Sequence, residues 1–138
     1  MNQTAITIEY ANMLDKMEWD FFCTFTTRYS MTMKQARRAM ERLHSFISDK
    51  HGKASLFWVA EPFDTRQGYH THALVHFAHP LGKKMKAALR KAWQIVSKGK
   101  GGKENNFTDL KPYDKKLGAR FYVSKYMLKK NADYDILY

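Results

Sequence analysis

Segments of this chain that are rich in aromatic and β-branched residues alternate with segments in which apolar residues recur every three or four positions. Aromatic and β-branched runs are typical of strands. Three such runs and a shorter fourth one predict strands at residues 19–28, 55–63, 69–77 and 107–114. Because only the polar turn DTRQG separates the second run from the third, these two strands are predicted to form a hairpin.

Apolar residues spaced by three and four predict amphipathic helices between these strands. The first helix is expected at residues 33–48, with Ser30 or Thr32 as its cap. A second helix is expected to begin at Pro80, since proline is favoured in the first turn. A third is expected over residues 117–130.

The predicted elements follow one another in the order β-α-β-β-α-β-α. Two helices that connect strands on either side of a central hairpin are typical of a split β-α-β sheet. We therefore predict an α+β, ferredoxin-like fold, with a mostly antiparallel sheet of four to five strands and helices packed on one face. The chain shows no repeat and no obvious linker, so residues 1–138 are expected to form one domain. Its one low-complexity stretch, residues 97–106, predicts a mobile basic loop.

The charge of the chain indicates the kind of partner. Lysine and arginine number 24 against 13 aspartates and glutamates, which gives a formal net charge of +11. This excess suits a polyanion, first of all nucleic acid, although surface lysines also serve solubility. Aromatic residues make up 14% of the chain and offer rings on which bases could stack, although most should belong to the core.

Cysteine content and hydropathy bear on the compartment. The single cysteine, Cys23, excludes an internal disulfide and a multi-cysteine zinc site and fits a reducing environment. No apolar run reaches the ~18 residues that a membrane span needs, and the first ten residues lack the pattern of a signal peptide. We therefore expect a soluble, cytoplasmic protein that contacts no membrane.

A pair of histidines suggests a metal site. His70 and His72 share a face of their strand because they are two residues apart, and His76 lies too far along to join them. Glu61 ends the preceding strand of the hairpin, so its carboxylate is expected beside the two rings. Two imidazoles and one carboxylate leave open positions on a divalent cation such as Mg²⁺ or Mn²⁺. The alternative is a half-buried histidine strand in which Glu61 is only a turn carboxylate.

The last predicted helix has two distinct sides. One carries Tyr122, Lys125, Tyr126 and Lys129, and another carries Leu117, Phe121 and Leu128. We expect the apolar side to anchor the helix and the other to present two phenols flanked by ammonium groups. Such a side is also typical of a solvated surface. Beside a lysine or a metal, however, a phenol can attack a phosphate, which would give phosphoryl transfer through a covalent intermediate.

Three ordered motifs resemble those of the HUH endonucleases, and among these the rolling-circle replication initiators (Rep proteins) of plasmids and small single-stranded DNA viruses. FFCTFTTR at residues 21–28 resembles the first motif. HTH at residues 70–72, with Glu61 upstream, resembles the metal-binding motif. YVSKYMLK at residues 122–129 resembles the nucleophile motif Tyr-x-x-Lys and also its two-tyrosine form. The resemblance extends over residues 19–130.

The resemblance implies an enzyme that nicks and joins single-stranded or hairpin DNA at a replication origin, specifically in site and strand. The intermediate would be a 5′-phosphotyrosine, and the free 3′-hydroxyl would prime rolling-circle replication. Tyr122 would be the first nucleophile, because it begins the Tyr-x-x-Lys pattern, and Tyr126 a possible second. Lys125 and Lys129 would stabilise negative charge. No helicase motif lies within these residues, so unwinding would come from a host helicase or from a part of the protein outside this sequence. A host polymerase would take part, and no small-molecule cofactor is expected.

Two other functions remain open at this point. One is a non-catalytic module that binds single-stranded nucleic acid on the same scaffold, with histidines and tyrosines that stack on bases. Glu61 argues against it, because a carboxylate would repel phosphate. The other is an HUH-type transposase with the same chemistry. Transposases of this type usually have a lone tyrosine, so the paired tyrosines favour a replication protein.

Overall fold

The structure, a computed structural model, describes residues 3–98, 106–127 and 131–138. Its five strands are β1 (Phe21–Phe25), β2 (Ala54–Pro62), β3 (Tyr69–Phe77), β4 (Thr108–Pro112) and β5 (Asp133–Leu137). Its helices are α1 (Gln3–Asp15), α2 (Met33–His51), α3 (Met85–Val96) and α4 (Gly118–Tyr126). Most of the predicted basic loop lies outside the described residues, as do Leu128 and Lys129.

The five strands form one sheet in the order β4-β1-β3-β2-β5, and every neighbouring pair is antiparallel. Helix α2 connects β1 to β2, and α3 connects β3 to β4, so two β-α-β units interleave around the β2–β3 hairpin. This is the predicted split arrangement, and the α+β prediction with an antiparallel sheet is confirmed. Strand β5 extends the sheet beyond β2.

Helices cover both faces of the sheet, so the expectation of helices on one face is wrong. Helices α2 and α3 pack on one face and α1 and α4 on the other. The reason is visible in β2, where successive residues are apolar on opposite faces. Leu56 and Trp58 belong to the core under α2 and α3, whereas Phe57 and Val59 belong to the core under α1 and α4. A sheet that is apolar on both faces must be covered on both.

Helix α1 and strand β5 were not among the predicted elements. The apolar residues of α1 do not form one clear stripe, and Ile8 is 48% exposed. Strand β5 has the sequence DYDIL, and aspartate is depleted in strands. Both of its aspartates bind Arg37 of α2, at 2.8 Å for Asp133 and 3.2 Å for Asp135. These ion pairs join β5 to a helix that is distant in sequence, so local propensity gives no sign of them.

The beginning of α2 follows the sequence signals closely. Thr32 caps the helix, since its Oγ1 accepts a hydrogen bond from the Gln35 backbone N–H at 3.1 Å. The Gln35 side chain accepts from the Thr32 backbone N–H in return, which completes a capping box. Ser30, the other predicted cap, instead donates its hydroxyl to the Gln67 carbonyl.

Among the described residues, no helix combines the length and the apolar character required to cross a membrane. Cys23 is completely buried, as its apolar surroundings in the sequence suggested. Burial raises the pKa of its thiol, which keeps the sulfur protonated and unreactive at neutral pH.

Candidate metal centre

The β2–β3 hairpin brings the predicted ligands together. Glu61 and His70 are directly paired across the two strands, and His72 follows two residues along on the same face. Oε1 of Glu61 lies 2.9 Å from Nε2 of His70 and also 2.9 Å from Nε2 of His72. Two imidazole nitrogens therefore converge on a single carboxylate oxygen, as the spacing of the three residues predicted.

This group is buried, and its composition suits a cation. Glu61 is only 3% exposed and His72 is 8% exposed. A carboxylate costs several kcal/mol to bury unless donors or a cation compensate its charge. One ligand atom from each of Glu61, His70 and His72 lies within 4.8 Å of the others. Two nitrogen donors and one oxygen donor at this spacing could hold one divalent metal ion and would leave further coordination positions open.

Neighbouring side chains hold the two imidazole rings in place. Oγ1 of Thr24, on β1, lies 3.0 Å from Nδ1 of His72. The ring of Phe63 packs against His70 with 4.4 Å between the ring centroids. The guanidinium of Arg66 lies in turn over Phe63, at 4.4 Å from its centroid. The ligands are thus supported by β1 and by the turn that joins β2 to β3.

The two tyrosines of α4 lie directly on this face of the sheet. The ring of Tyr126 stacks on His72, with 3.8 Å between centroids and an angle of 21°. The ring of Tyr122 stacks on Phe22 at 4.5 Å, and Phe22 is itself 5.9 Å from His72. A layer of nearly parallel rings therefore lies against His72, and Tyr126 is the α4 tyrosine in direct contact with a candidate ligand.

The buried and exposed sides of α4 are the reverse of the expectation. Tyr122 and Tyr126 are 7% and 8% exposed, whereas Leu117 and Phe121 are 48% and 42% exposed. The sheet beneath α4 presents the Phe22 ring and the His72 ring, and parallel stacking on them buries the large tyrosine rings. The prediction that the leucine and phenylalanine side anchors this helix is therefore wrong.

Lys125 lies at the rim of the site. Its side chain is exposed, and Nζ is 5.4 Å from the centroid of the Tyr126 ring and 5.5 Å from that of Phe121. The ammonium group can therefore remain in water while its stem lies along α4. Lys129, the other predicted cation of this helix, is not among the residues that the structure describes.

The position of α4 depends on a residue that the sequence did not reveal. Oδ1 of Asp15, at the end of α1, accepts a hydrogen bond from the Ala119 backbone N–H at 2.7 Å. This bond satisfies one of the free donors in the first turn of α4. Because Asp15 and Ala119 are 104 positions apart, no local pattern indicates this contact.

Tyr113 lies between Asp15 and the first tyrosine of α4. Its ring packs with its centroid 5.6 Å from that of Tyr122. Burial and then the nearby charge of Asp15 raise the pKa of Tyr113 to about 12.

The third histidine of the strand is separate from the ligand group, as expected from its spacing. Nδ1 of His76 lies 3.1 Å from Oδ2 of Asp20, at the other end of β3. The same Asp20 oxygen accepts the Phe77 backbone N–H at 2.7 Å. These contacts attach the beginning of β1 to the end of β3.

Three loops meet at the end of the sheet where the ligands lie: the loop after β1, the β2–β3 turn and the residues before β4. Arg66 of the turn donates to the Thr27 carbonyl at 3.1 Å, and the Arg28 backbone N–H donates to the Asn106 side chain at 3.1 Å. The Arg28 guanidinium lies 5.8 Å from the centroid of Phe107, which is 62% exposed. An arginine beside an exposed aromatic ring is a combination also found in proteins that bind single-stranded nucleic acid.

A comparison with known families gives one result that covers most of the chain. The model of a family of replication-associated proteins, described by the name ORF2, matches residues 20–131. This range includes the three candidate ligands and both tyrosines of α4. No curated protein and no solved structure matches the chain.

Proposed function

This chain belongs to the ORF2 family of replication-associated proteins, and from this premise we propose that it is an endonuclease that initiates rolling-circle replication. In this proposal it nicks and rejoins single-stranded or hairpin DNA at a replication origin, in a metal-dependent reaction. A tyrosine of the chain forms the covalent intermediate, as in the HUH endonucleases that the motifs resemble.

One observation supports the proposal above the others: the two tyrosine rings of α4 lie beside the candidate metal group, one of them directly on a ligand. Tyr126 stacks on His72 at 3.8 Å, and Tyr122 lies next to it on Phe22. A buried carboxylate with two convergent imidazoles does not by itself distinguish a structural from a catalytic ion. The added phenols provide the nucleophile that a covalent phosphoryl transfer requires.

We assign Mg²⁺ or Mn²⁺ to Glu61, His70 and His72. Mixed nitrogen and oxygen ligands accept Mn²⁺ well, and Mg²⁺ is the abundant ion in cells. When bound, such a cation would polarise the scissile phosphodiester and offset the negative charge that develops on it. The chain's own contribution is to hold the three donors on one hairpin and to pack the Tyr126 ring against one of them, His72.

The reaction that we propose exchanges one phosphodiester for another. The tyrosine oxygen attacks phosphorus, the new tyrosine O–P bond forms, and the bond between phosphorus and the 3′-oxygen breaks. The phenol loses its proton, and the departing 3′-oxygen gains one, so the step is balanced. The products are a 5′-phosphotyrosine and a free 3′-hydroxyl. Attack by a DNA 3′-hydroxyl on the phosphotyrosine reverses the step, so strands can be joined without ATP.

Both tyrosines are proposed nucleophiles, and two features favour different ones. The Tyr-x-x-Lys spacing with Lys125 favours Tyr122 as the first nucleophile. The ring contact with His72 favours Tyr126. Lys125 lies on the same helix, with Nζ 5.4 Å from the centroid of the Tyr126 ring, and could stabilise negative charge on a phosphate bound beside that ring. The proposed role of Lys129 rests only on its spacing from Tyr126 in the sequence.

The proposed partner is single-stranded DNA, and the three loops beside the ligands support it. Arg28 beside exposed Phe107 would offer a cation and a ring to the strand. Unwinding and synthesis would be carried out by a host helicase and polymerase, in the cytoplasm of the host. A protein that only binds nucleic acid would need the loops but not a buried carboxylate between two imidazoles.

The proposal is tested by trapping the covalent intermediate. Single-stranded oligonucleotides that tile the origin of the encoding replicon are incubated with the protein and Mn²⁺, and a denaturing gel is examined for a protein–DNA adduct. We expect an adduct that disappears with EDTA and in the double variant Tyr122→Phe, Tyr126→Phe. Tyr113→Phe makes the same chemical change beside Tyr122 and should keep the adduct.

The single-tyrosine variants then identify the nucleophile. An adduct that survives Tyr122→Phe and is lost in Tyr126→Phe assigns the attack to Tyr126, and the opposite result assigns it to Tyr122. If the protein binds the oligonucleotides but forms no adduct with any of them, it is a non-catalytic binding module and the enzyme proposal is wrong.

A further inference from the structure

A hydroxyl on the neighbouring strand reaches the second ring nitrogen of one candidate ligand. Thr24 Oγ1 lies 3.0 Å from His72 Nδ1, while His72 Nε2 lies 2.9 Å from Glu61. The sheet fixes the first contact, because Thr24 and His72 are directly paired across β1 and β3. Both side chains therefore stand on the same face of the sheet, and the imidazole is held between a hydroxyl and a carboxylate.

The protonation of the ring decides whether His72 can bind a cation. An imidazole nitrogen binds a metal only through its lone pair, so Nε2 of His72 can be a ligand only when the proton is on Nδ1. A threonine hydroxyl can accept a hydrogen bond from Nδ1–H. Partners of this kind on the second nitrogen fix the tautomer and the orientation of metal-binding histidines.

We propose that Thr24 is a positioning residue for the metal site. Its hydroxyl accepts the Nδ1–H of His72 and so keeps the lone pair of Nε2 directed at the cation. The stacked Tyr126 ring supports the same imidazole from its flat face, so that the hydroxyl fixes the edge of the ring and the tyrosine fixes its plane. This inference rests on the proposed metal site and assigns Thr24 no contact with DNA.

The test measures metal affinity in the absence of DNA. Thr24→Val removes the hydroxyl and keeps the shape of the side chain, whereas Thr24→Ser keeps the hydroxyl. By calorimetric titration we expect Mn²⁺ to bind roughly 10–100-fold more weakly to Thr24→Val than to the unchanged protein, with Thr24→Ser within about threefold of it. Thr108→Val is the matched control, because Thr108 is paired with Phe25 on the adjacent strand and so stands on the opposite face. It should bind Mn²⁺ with unchanged affinity.

Two results would overturn the role of Thr24 alone. One is unchanged Mn²⁺ affinity in Thr24→Val. The other is an equal loss in Thr24→Ser and Thr24→Val, which would assign the effect to packing rather than to the hydroxyl. Absence of Mn²⁺ binding by the unchanged protein is a different outcome, since it would remove the proposed metal site itself and Thr24's role with it.

A second measurement does not depend on whether the Thr24 variants fold. In the unchanged protein with saturating Mg²⁺, nitrogen NMR of the imidazoles should show a proton on Nδ1 of His72 and none on Nε2. The signals are assigned by comparison with His72→Gln. A proton-free Nδ1 under these conditions would contradict the proposal.

Discussion

Replacing Glu61 with glutamine would keep the volume of a buried side chain and remove its negative charge. Glu61 is 3% exposed, and its Oε1 lies 2.9 Å from a nitrogen of both His70 and His72. The glutamine side chain keeps an oxygen that can accept a hydrogen bond from an imidazole N–H in the metal-free protein. The weaker hydrogen bonds are offset because an amide costs less to bury than a carboxylate. We therefore expect the melting temperature in EDTA to change little.

The response to Mn²⁺ should change much more. A cation that binds only the folded state adds about 2.7 kcal/mol to the free energy of unfolding at 100 times its Kd. For 138 residues, an unfolding entropy of ~2.1 cal/mol/K per residue converts this into a rise of about 9 °C in melting temperature. If the carboxylate contributes ~3 kcal/mol to the cation, its loss weakens binding about 100-fold. At the same Mn²⁺ concentration, the variant should then gain only ~0.4 kcal/mol, or about 1–2 °C.

Melting curves recorded by circular dichroism, in EDTA and in Mn²⁺, measure both quantities. Glu41→Gln is the matched control, because it makes the same charge change on an exposed position of α2. It should keep the full Mn²⁺ shift. A full shift in Glu61→Gln would refute the assignment of Glu61 as a ligand, even if the DNA adduct forms.

Two further predictions test the packing of α4 and the loop surface. Tyr126→Ala should lower the free energy of unfolding by about 3–4 kcal/mol. This value follows from burial of ~200 Å² of ring surface, and it is reduced because a compact unfolded chain already buries part of that surface. Phe121→Ala should lower the free energy of unfolding by less than about 2 kcal/mol, because Phe121 is 42% exposed. Urea unfolding measures both values, and equal losses of stability in the two variants would contradict the orientation of α4. Arg28→Ala should weaken binding of single-stranded DNA and reduce the slope of log K against log salt by about 0.7. Arg90→Ala is the control, because Arg90 is an exposed residue of α3, on the other face of the sheet from the candidate ligands. It should change neither the affinity for DNA nor the salt slope. An equal effect of Arg28→Ala and Arg90→Ala would indicate attraction by net charge alone.

The candidate metal group could be predicted from the sequence because its geometry is local. The period of a strand puts His70 and His72 on one face, and a short polar turn brings Glu61 opposite His70. Neither inference needs knowledge of the rest of the fold. The split β-α-β arrangement was accessible for a related reason, since a hairpin between two helices permits few arrangements.

The sides of α4 could not be predicted in this way, because they depend on what lies beneath the helix. Hydrophobicity alone ranks Leu117 and Phe121 as the buried residues. The sheet under α4, however, offers the flat rings of Phe22 and His72, which tyrosines can stack on. A pattern on one helix does not contain the shape and chemistry of its partner surface.

The same distinction separates the ligands of the site from the residues that support them. Thr24 contacts His72 from 48 positions away, and Asp15 contacts Ala119 from 104 positions away. Both contacts require the sheet and the packing of α1 to exist first. The position of Thr24 can nevertheless be predicted once β1 is known to pair with β3, because the alternation of side chains along β1 places it on the same face as the histidine pair. A search of the sequence for residues that support the ligands should therefore begin with the neighbouring strand and select the residues whose side chains lie on the same face of the sheet as the ligands. It would find Phe22 and Thr24 here, the two β1 side chains that contact the ring layer and the ligand.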